Sequence, residues 1–135
     1  MTTARERLVY ADSSALVKLV VTEGESDALA RELARFPTTL VTSRIALIEV
    51  TRVVRLADPE QVSEADILLA SCSLIAVSDV IIGIARTLAS IRIRTLDAIH
   101  LATAMHVGAD AIAVYDSRLA VAATEMGLHV LAPAA

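Results

Sequence analysis

Apolar and polar positions follow two rhythms along this chain, one of period two and one near the helical period, and the two take turns. Leu8 to Ala11 is a short apolar run that stops at Asp12-Ser13-Ser14, the pattern of a strand leading into a capped helix. Ala15 to Val21 reads as that helix. Ser26 to Phe36 reads as a second, with Ala28, Leu29, Leu33 and Phe36 at helical spacing and Pro37 to stop it. Thr39 to Thr42 is a β-branched strand, and Ser43 is placed to cap a helix running to about Ala57. Asp58-Pro59 marks a break before a further helical stretch, Glu60 to about Ser71. Leu74 to Val77 reads as strand, Asp79 as an N-cap and Val80 to Ser90 as helix. Thr95 or Leu96 opens a helix that continues to Val107 and stops at Gly108. Ala111 to Tyr115 is a strand, Asp116 caps a helix to Met126 that Gly127 ends, and Leu128 to Leu131 is a last short strand.

This alternation predicts an α/β fold with a mostly parallel sheet and helices on both faces. No internal repeat, low-complexity tract or linker interrupts it. Residues 1–135 therefore read as one domain, within the usual size of about 100–150 residues.

Composition changes this picture in two places. The hydrophobic fraction of 56% supplies a core without disulfides or a structural metal. Aromatics make up only 2%, and Tyr10, Phe36 and Tyr115 are too scattered to form a base-stacking platform. A mean hydropathy of +0.64 raises the question of a membrane span, with Leu68 to Ala85 the best candidate. That stretch carries Asp79 and breaks into a strand-like and a helix-like run, so it reads as core. Met1 to Tyr10 has no apolar signal-peptide stretch, and Cys72 is the lone cysteine. Together these features predict a soluble, reducing, cytoplasmic setting.

The net charge of −4 does not favour nucleic acid, whose binding rests on cations that neutralise phosphates. Eleven arginines and Lys18 supply the positive charge, spread along the chain. Any affinity for RNA must come from a local arginine patch together with a metal.

The acidic residues are more telling. Asp12 and Asp116 each follow a predicted strand, and in a parallel sheet ligands bind beyond the carboxyl ends of the strands. Each is equally well explained as a helix N-cap. Glu49 lies on the helical wheel between Ile45, Val53 and Leu56, inside an apolar stripe, where a carboxylate is costly unless paired or metal-bound. Its structural alternative is an ion pair with Arg52 at i+3. Asp97 sits in a first helical turn, where the dipole favours an anion, yet shares a face with Leu101, Ala104 and Met105. Four gathered carboxylates repel one another unless a cation intervenes, and oxygen donors select Mg2+ or Mn2+. The three histidines and Cys72 stand at wide spacings and give no zinc signature. His100, one turn after Asp97, reads as helix packing in preference to a supporting role at a metal.

At this point the residues resemble a known family. Val9-Tyr10-Ala11-Asp12-Ser13-Ser14-Ala15-Leu16-Val17-Lys18-Leu19 is similar to the opening of PIN-domain proteins, above all VapC-type toxins. Ser43-Arg44-Ile45-Ala46-Leu47-Ile48-Glu49-Val50 resembles their second motif, and Thr95 to Ala104 (TLDAIHLATA) the third. Val114-Tyr115-Asp116-Ser117-Arg118-Leu119 followed by Gly127-Leu128 resembles the fourth. The resemblance spans nearly the whole chain and implies a three-layer α/β/α sandwich, PIN-like, acting as a Mg2+- or Mn2+-dependent endoribonuclease. It also implies a homodimer neutralised by a cognate VapB-type antitoxin. Asp12, Glu49, Asp97 and Asp116 carry over as catalytic and metal-site residues, and Lys18, Arg44, Arg52, Arg94 and Arg118 lie near the motifs as candidates to steer the RNA backbone. One position departs from the family: a Thr or Ser is common two residues before the last Asp, and here Val114 stands there, with Ser117 or Ser13 as possible substitutes.

Other chemistries fit less well. A haloacid-dehalogenase-like phosphatase needs an Asp two positions after the first, where this chain has Ser14. A receiver domain wants paired acidic residues and a late lysine, and the only lysine is Lys18. An Asp-x-Ser-x-Ser adhesion site would need Ser where Leu16 stands. A stand-alone PIN-fold nuclease, or a catalytically weak binding module for RNA or protein, remains the alternative within the family.

Overall fold

The computed structural model describes residues 5–88 and 92–135. Its centre is the strand β1 (Arg7–Ala11), in which Val9, Tyr10 and Ala11 have essentially no solvent exposure. A strand this apolar has to be covered on both faces, as parallel strands are. β1 pairs in parallel with β2 (Thr38–Ser43) on one side and β4 (Ala111–Ala113) on the other. β3 (Ser73–Ile75) extends the sheet beyond β2, and β5 (Val130–Leu131) extends it beyond β4, giving the order β3-β2-β1-β4-β5. The register places Val9 beside Leu40 and Ala111, and Ala11 beside Ala113.

Among the described residues seven α-helices flank the sheet: α1 (Ser13–Lys18), α2 (Ser26–Ala34), α3 (Ala46–Ala57), α4 (Val62–Ser71), α5 (Asp79–Thr87), α6 (Thr95–His106) and α7 (Ser117–Glu125). The period-two alternation of β1 distributes them. Val9 and Ala11 point into one core with Leu16, Leu29, Val50, Val54 and Leu69, from α1 to α4. Tyr10 points into the other with Ile81, Leu101, Ile112, Leu119 and Ala122, from α5 to α7. The result is the expected α/β/α sandwich. None of the helices among the described residues is long and apolar enough to cross a membrane.

Several boundaries and caps differ from expectation. Ser43 does not cap α3; it ends β2, fully buried, and accepts only a 3.3 Å bond from Ile45 N, while α3 begins at Ala46. Ser78, not Asp79, caps α5, because its hydroxyl receives the Ile81 N–H and Asp79 already lies in the first helical turn. The stretch from Glu60 splits into a 3-10 turn, Pro59–Gln61, and α4, as proline at the entry suits. The expected end of the α5 helix, at Ala89 and Ser90, lies outside the described residues. Gly108 and Gly127 adopt φ of +65° and +83°, the left-handed backbone that ends α6 and α7.

These glycines allow a contrast. Nothing lies within 4 Å of a Cβ built at Gly127 or at the helical Gly83, so no clash enters either substitution. Gly127→Ala is expected to destabilise by about 1–2 kcal/mol through its positive φ. Gly83→Ala, inside α5, is expected to stabilise by about 0.5–1 kcal/mol. Urea unfolding midpoints that move in opposite directions would bear this out; equal shifts would refute it.

Candidate metal centre

The strand order reverses at β1. The chain runs outward from β1 through β2 to β3, then returns to the far side of β1 for β4 and β5. A crevice opens beyond the carboxyl ends of β1 and β4 at such a switch point. Asp12 directly follows β1, and its N–H continues the ladder to Ala113 O at 3.1 Å. Asp116 lies three residues beyond β4. α3 and α6 bring Glu49 and Asp97 to the same place, where a cleft of about 480 Å3 is lined by Glu49, Arg94, Asp97, Asp116 and Arg118.

Each carboxylate commits one oxygen to the fold. Asp12 Oδ1 accepts from Ser14 Oγ at 2.6 Å and from Ala15 N at 3.0 Å, capping α1. Asp116 Oδ1 accepts from Leu119 N at 3.0 Å, capping α7. Asp97 Oδ2 takes a longer bond, 3.4 Å, from Arg94 N at the start of α6. Glu49 Oε1 receives two donors, Ser13 Oγ at 2.8 Å and His100 Nε2 at 2.7 Å. The second oxygen of each has no protein donor among the described residues.

Glu49 is held differently from expectation. α3 buries Ala46, Val50 and Val54 against the sheet, while Val53 and Leu56, expected on the inner stripe, are 46% and 86% exposed. Glu49 sits at the edge of the buried face, half-covered, and its partner is His100 on α6, not Arg52. His100 is itself only 2% exposed, and its Nδ1 lies 2.6 Å from the Tyr10 hydroxyl. It is therefore a connected polar member of the site and more than helix packing.

The electrostatics follow from burial. Asp12, 4% exposed, is pushed above the usual carboxylate range by desolvation, against the bonds from Ser14 and Ala15; the Asp116 charge adds to the rise. Asp97 is raised mainly by burial, with Asp116 and Glu49 contributing. Burial also works against Glu49, but the His100 and Ser13 bonds outweigh it and hold its carboxyl below the usual range. Burial pushes the Tyr10 hydroxyl far up.

Not every expected member meets the cleft. Arg94 and Arg118 line it, both exposed, whereas Arg44 and Arg52 are exposed elsewhere on their elements. Lys18 borders a neighbouring hollow with Ser13, Ser14, Tyr115 and Asp116, but its ammonium is paired with Glu25 at 2.9 Å and Glu23 at 3.1 Å, and it lies over the Tyr115 ring. Its charge is thus neutralised within the fold. Of the four carboxylates, Glu49, Asp97 and Asp116 line the cleft and Asp12 does not, and no three acidic, histidine or cysteine side chains among the described residues stand close enough to hold a metal ion as they are. Reasoning from sequence missed the Tyr10–His100 link, although a tyrosine in the central strand demands a partner for its hydroxyl.

Comparison with known proteins adds to this geometry. The model of the PIN domain matches residues 9–125. Ribonuclease VapC46 of Mycobacterium tuberculosis is 41% identical over 128 residues, covering 93% of this chain and 97% of the relative. Ribonuclease VapC35 of the same species is 38% identical over 131 residues, with the same coverage. Among solved structures, M. tuberculosis VapC20, described as a sarcin-ricin loop cleaving toxin, superposes with a TM-score of 0.73 at 16% identity, covering 84% of this chain and 94% of that one. VapBC2 of Rickettsia felis, bound to a DNA fragment from its promoter, gives a TM-score of 0.70 at 16% identity, covering 92% and 97%. At those identities the structures speak for the fold, and the sequence relatives for the kinship: the chain belongs to the PIN-domain family, alongside the VapC ribonucleases.

Proposed function

We propose that this protein is an endoribonuclease, the toxin of a VapBC-type pair, hydrolysing RNA phosphodiesters with Mg2+ or Mn2+ held by Asp12, Glu49, Asp97 and Asp116. One observation carries the reading: at the switch point of the sheet four carboxylates each give one oxygen to the fold and keep the other without a protein donor among the described residues, and three of them, Glu49, Asp97 and Asp116, line one cleft while Asp12 lies buried at the end of β1. The donor set fits a hard divalent cation, being all oxygen. The raised Asp12 and Asp97 express repulsion and burial that a cation would relieve. Asp12 and Glu49 are fixed by two bonds each, while Asp116 is exposed and Asp97 holds only a 3.4 Å bond, so the last two are the members free to close in.

Such an ion, when bound, activates water and neutralises charge developing on the phosphate. The chain's own part is to aim the free oxygens, keep Asp12 out of bulk water, and offer Arg94 and Arg118 to the flanking phosphates. Relatives named as VapC ribonucleases support the activity, and neighbours solved as VapBC complexes support a VapB-type antitoxin as partner. Cytoplasmic residence, expected from the composition and the lone Cys72, and a homodimer, implied by the family resemblance, complete the proposal.

Purified protein with RNA and Mg2+ or Mn2+ tests this directly. Cleavage should require the metal, and Asp12→Asn and Asp97→Asn should lower the rate by at least about 10–100-fold, the loss that follows even from removing a metal site's supporting group. Cutting in the presence of EDTA, or variants as active as wild type, would sink the site. RNA binding should weaken with salt, with Arg94→Ala and Arg118→Ala each reducing the slope of log K against log salt by about 0.7, as for one lost single-strand phosphate contact. Arg44→Ala should leave that slope unchanged.

Stability gives an independent readout. Because burial raises Asp12 above its ordinary value of 3.8, the native state holds this proton more tightly than the unfolded chain. Stability therefore falls as pH rises from below that value through the raised one, and the penalty is complete above it. Asp12→Asn removes the charge while its amide oxygen can still accept the cap bonds. In metal-free buffer at neutral pH the variant should melt a few degrees above wild type, and the gain should vanish in acid below the ordinary aspartate range. A variant that melts lower at neutral pH would refute the buried-charge penalty.

A further inference from the structure

The polar chain that ends on Glu49 begins on the opposite side of the sheet's central strand. Tyr10 is buried in β1 and sends its hydroxyl to His100 Nδ1 at 2.6 Å. The ring stands edge-on to the tyrosine, with centroids 5.8 Å apart and planes at 68°. Nε2, on the other side of the ring, meets Glu49 Oε1 at 2.7 Å. Facing a carboxylate, Nε2 carries a hydrogen and donates it. The Tyr10 hydroxyl, which burial keeps protonated, supplies the donor that Nδ1 accepts. Ser13 Oγ closes the chain with a 2.8 Å bond to the same Oε1. Its 3.5 Å approach to Nε2 is too long to compete.

Both donors converge on one oxygen of Glu49. A glutamate has three rotatable bonds, and ordering it costs free energy. Saturating Oε1 from two sides leaves Oε2 as the oxygen without a protein donor and settles which way the carboxylate turns. The helical period does the rest: on α6, Asp97 stands at the mouth of the cleft, and His100 follows one turn deeper on the same face. One helix thus presents a carboxylate to the cleft and a donor to the carboxylate of another helix.

We propose that His100, with its ring held by Tyr10, is the positioning residue for Glu49: it binds Oε1 so that Oε2 faces the cleft as a metal donor. The inference rests on the metal reading given above. Without His100, Glu49 is free to rotate toward solvent, and the site loses a donor that was aimed before the ion arrived. Partners that orient a metal's ligands in this way typically account for about 10–100-fold in affinity.

The test titrates Mn2+ alone into the full chain, following free ion by electron paramagnetic resonance, with melting recorded in metal-free buffer. Glu49→Gln and His100→Asn should each raise the Kd about 10–100-fold. His100→Gln should stay within about 3-fold of wild type, because its amide nitrogen takes the place of Nε2, while the asparagine amide stops near Nδ1. Tyr10→Phe should fall between them. The assignment is overturned by wild-type Mn2+ affinity in His100→Asn while Glu49→Gln is weakened, and equally by His100→Gln as weak as Glu49→Gln. A lower melting temperature with unchanged Kd would make His100 a structural residue only, which also refutes the proposal. Should His100→Asn fail to fold, the contrast between His100→Gln and Glu49→Gln decides. If Glu49→Gln binds Mn2+ as wild type does, the metal reading itself has failed, and the positioning role falls with it.

Discussion

A carboxylate can be buried only if hydrogen bonds replace its water, and this fold meets that condition one oxygen at a time. Asp12 is the extreme case, nearly sealed from solvent at the end of a strand that is itself wholly buried. Ser14 and Ala15 satisfy Oδ1, and α1 begins there because they do. Asp116 and α7 repeat the device on the other side of the switch point. The division leaves one oxygen of each carboxylate without a protein donor among the described residues while the other ties its element into the fold.

The same division dissolves an opposition that sequence reasoning cannot avoid. Read along the chain, Asp12 and Asp116 are either helix caps or site residues, because one letter carries one role. In three dimensions a carboxylate has two acceptors pointing apart. Asp12 caps α1 through Oδ1 and still has Oδ2 to offer. Lys18 goes the other way. Its place beside the first motif suggests a phosphate contact, but Glu23 and Glu25 fold back from the loop after α1 and neutralise it. Neither pairing has a periodic signature, so neither is visible before the loop is placed.

The layer architecture was legible because its cause is local. Alternating apolar runs of strand and helix length, with stop signals between them, determine which elements form, and burial of β1 on both faces then requires helices on both sides. What failed was the facing of α3. A helical wheel locates an apolar stripe but not the width of the surface that covers it. Ala46, Val50 and Val54 meet the sheet, while Val53 and Leu56 fall outside its cover. The helical wheel shows Glu49 as a carboxylate in need of a partner or a metal and offers Arg52 within the helix, whereas the observed partner is His100 from α6. Contacts between elements distant in the chain are what one sequence does not display.

Val114 shows how such a contact can replace a residue type. A hydroxyl two positions before the last aspartate would tie the β4 end to the site from within its own segment. Val114 instead fills the core under α6 and α7, fully buried among Leu101, Ile112 and Leu119. The tie comes from α1. Ser14 Oγ donates to Asp12 Oδ1 at 2.6 Å and accepts the Tyr115 N–H at 3.0 Å, so one hydroxyl on α1 joins the first aspartate to the backbone beside the last. Ser117 is exposed and Ser13 bonds Glu49, so neither of these serines makes this tie. The two ends of the site are thus tied together from β1 and α1. That leaves position 114 free to be apolar and to contribute packing to the helix that carries Asp97 and His100.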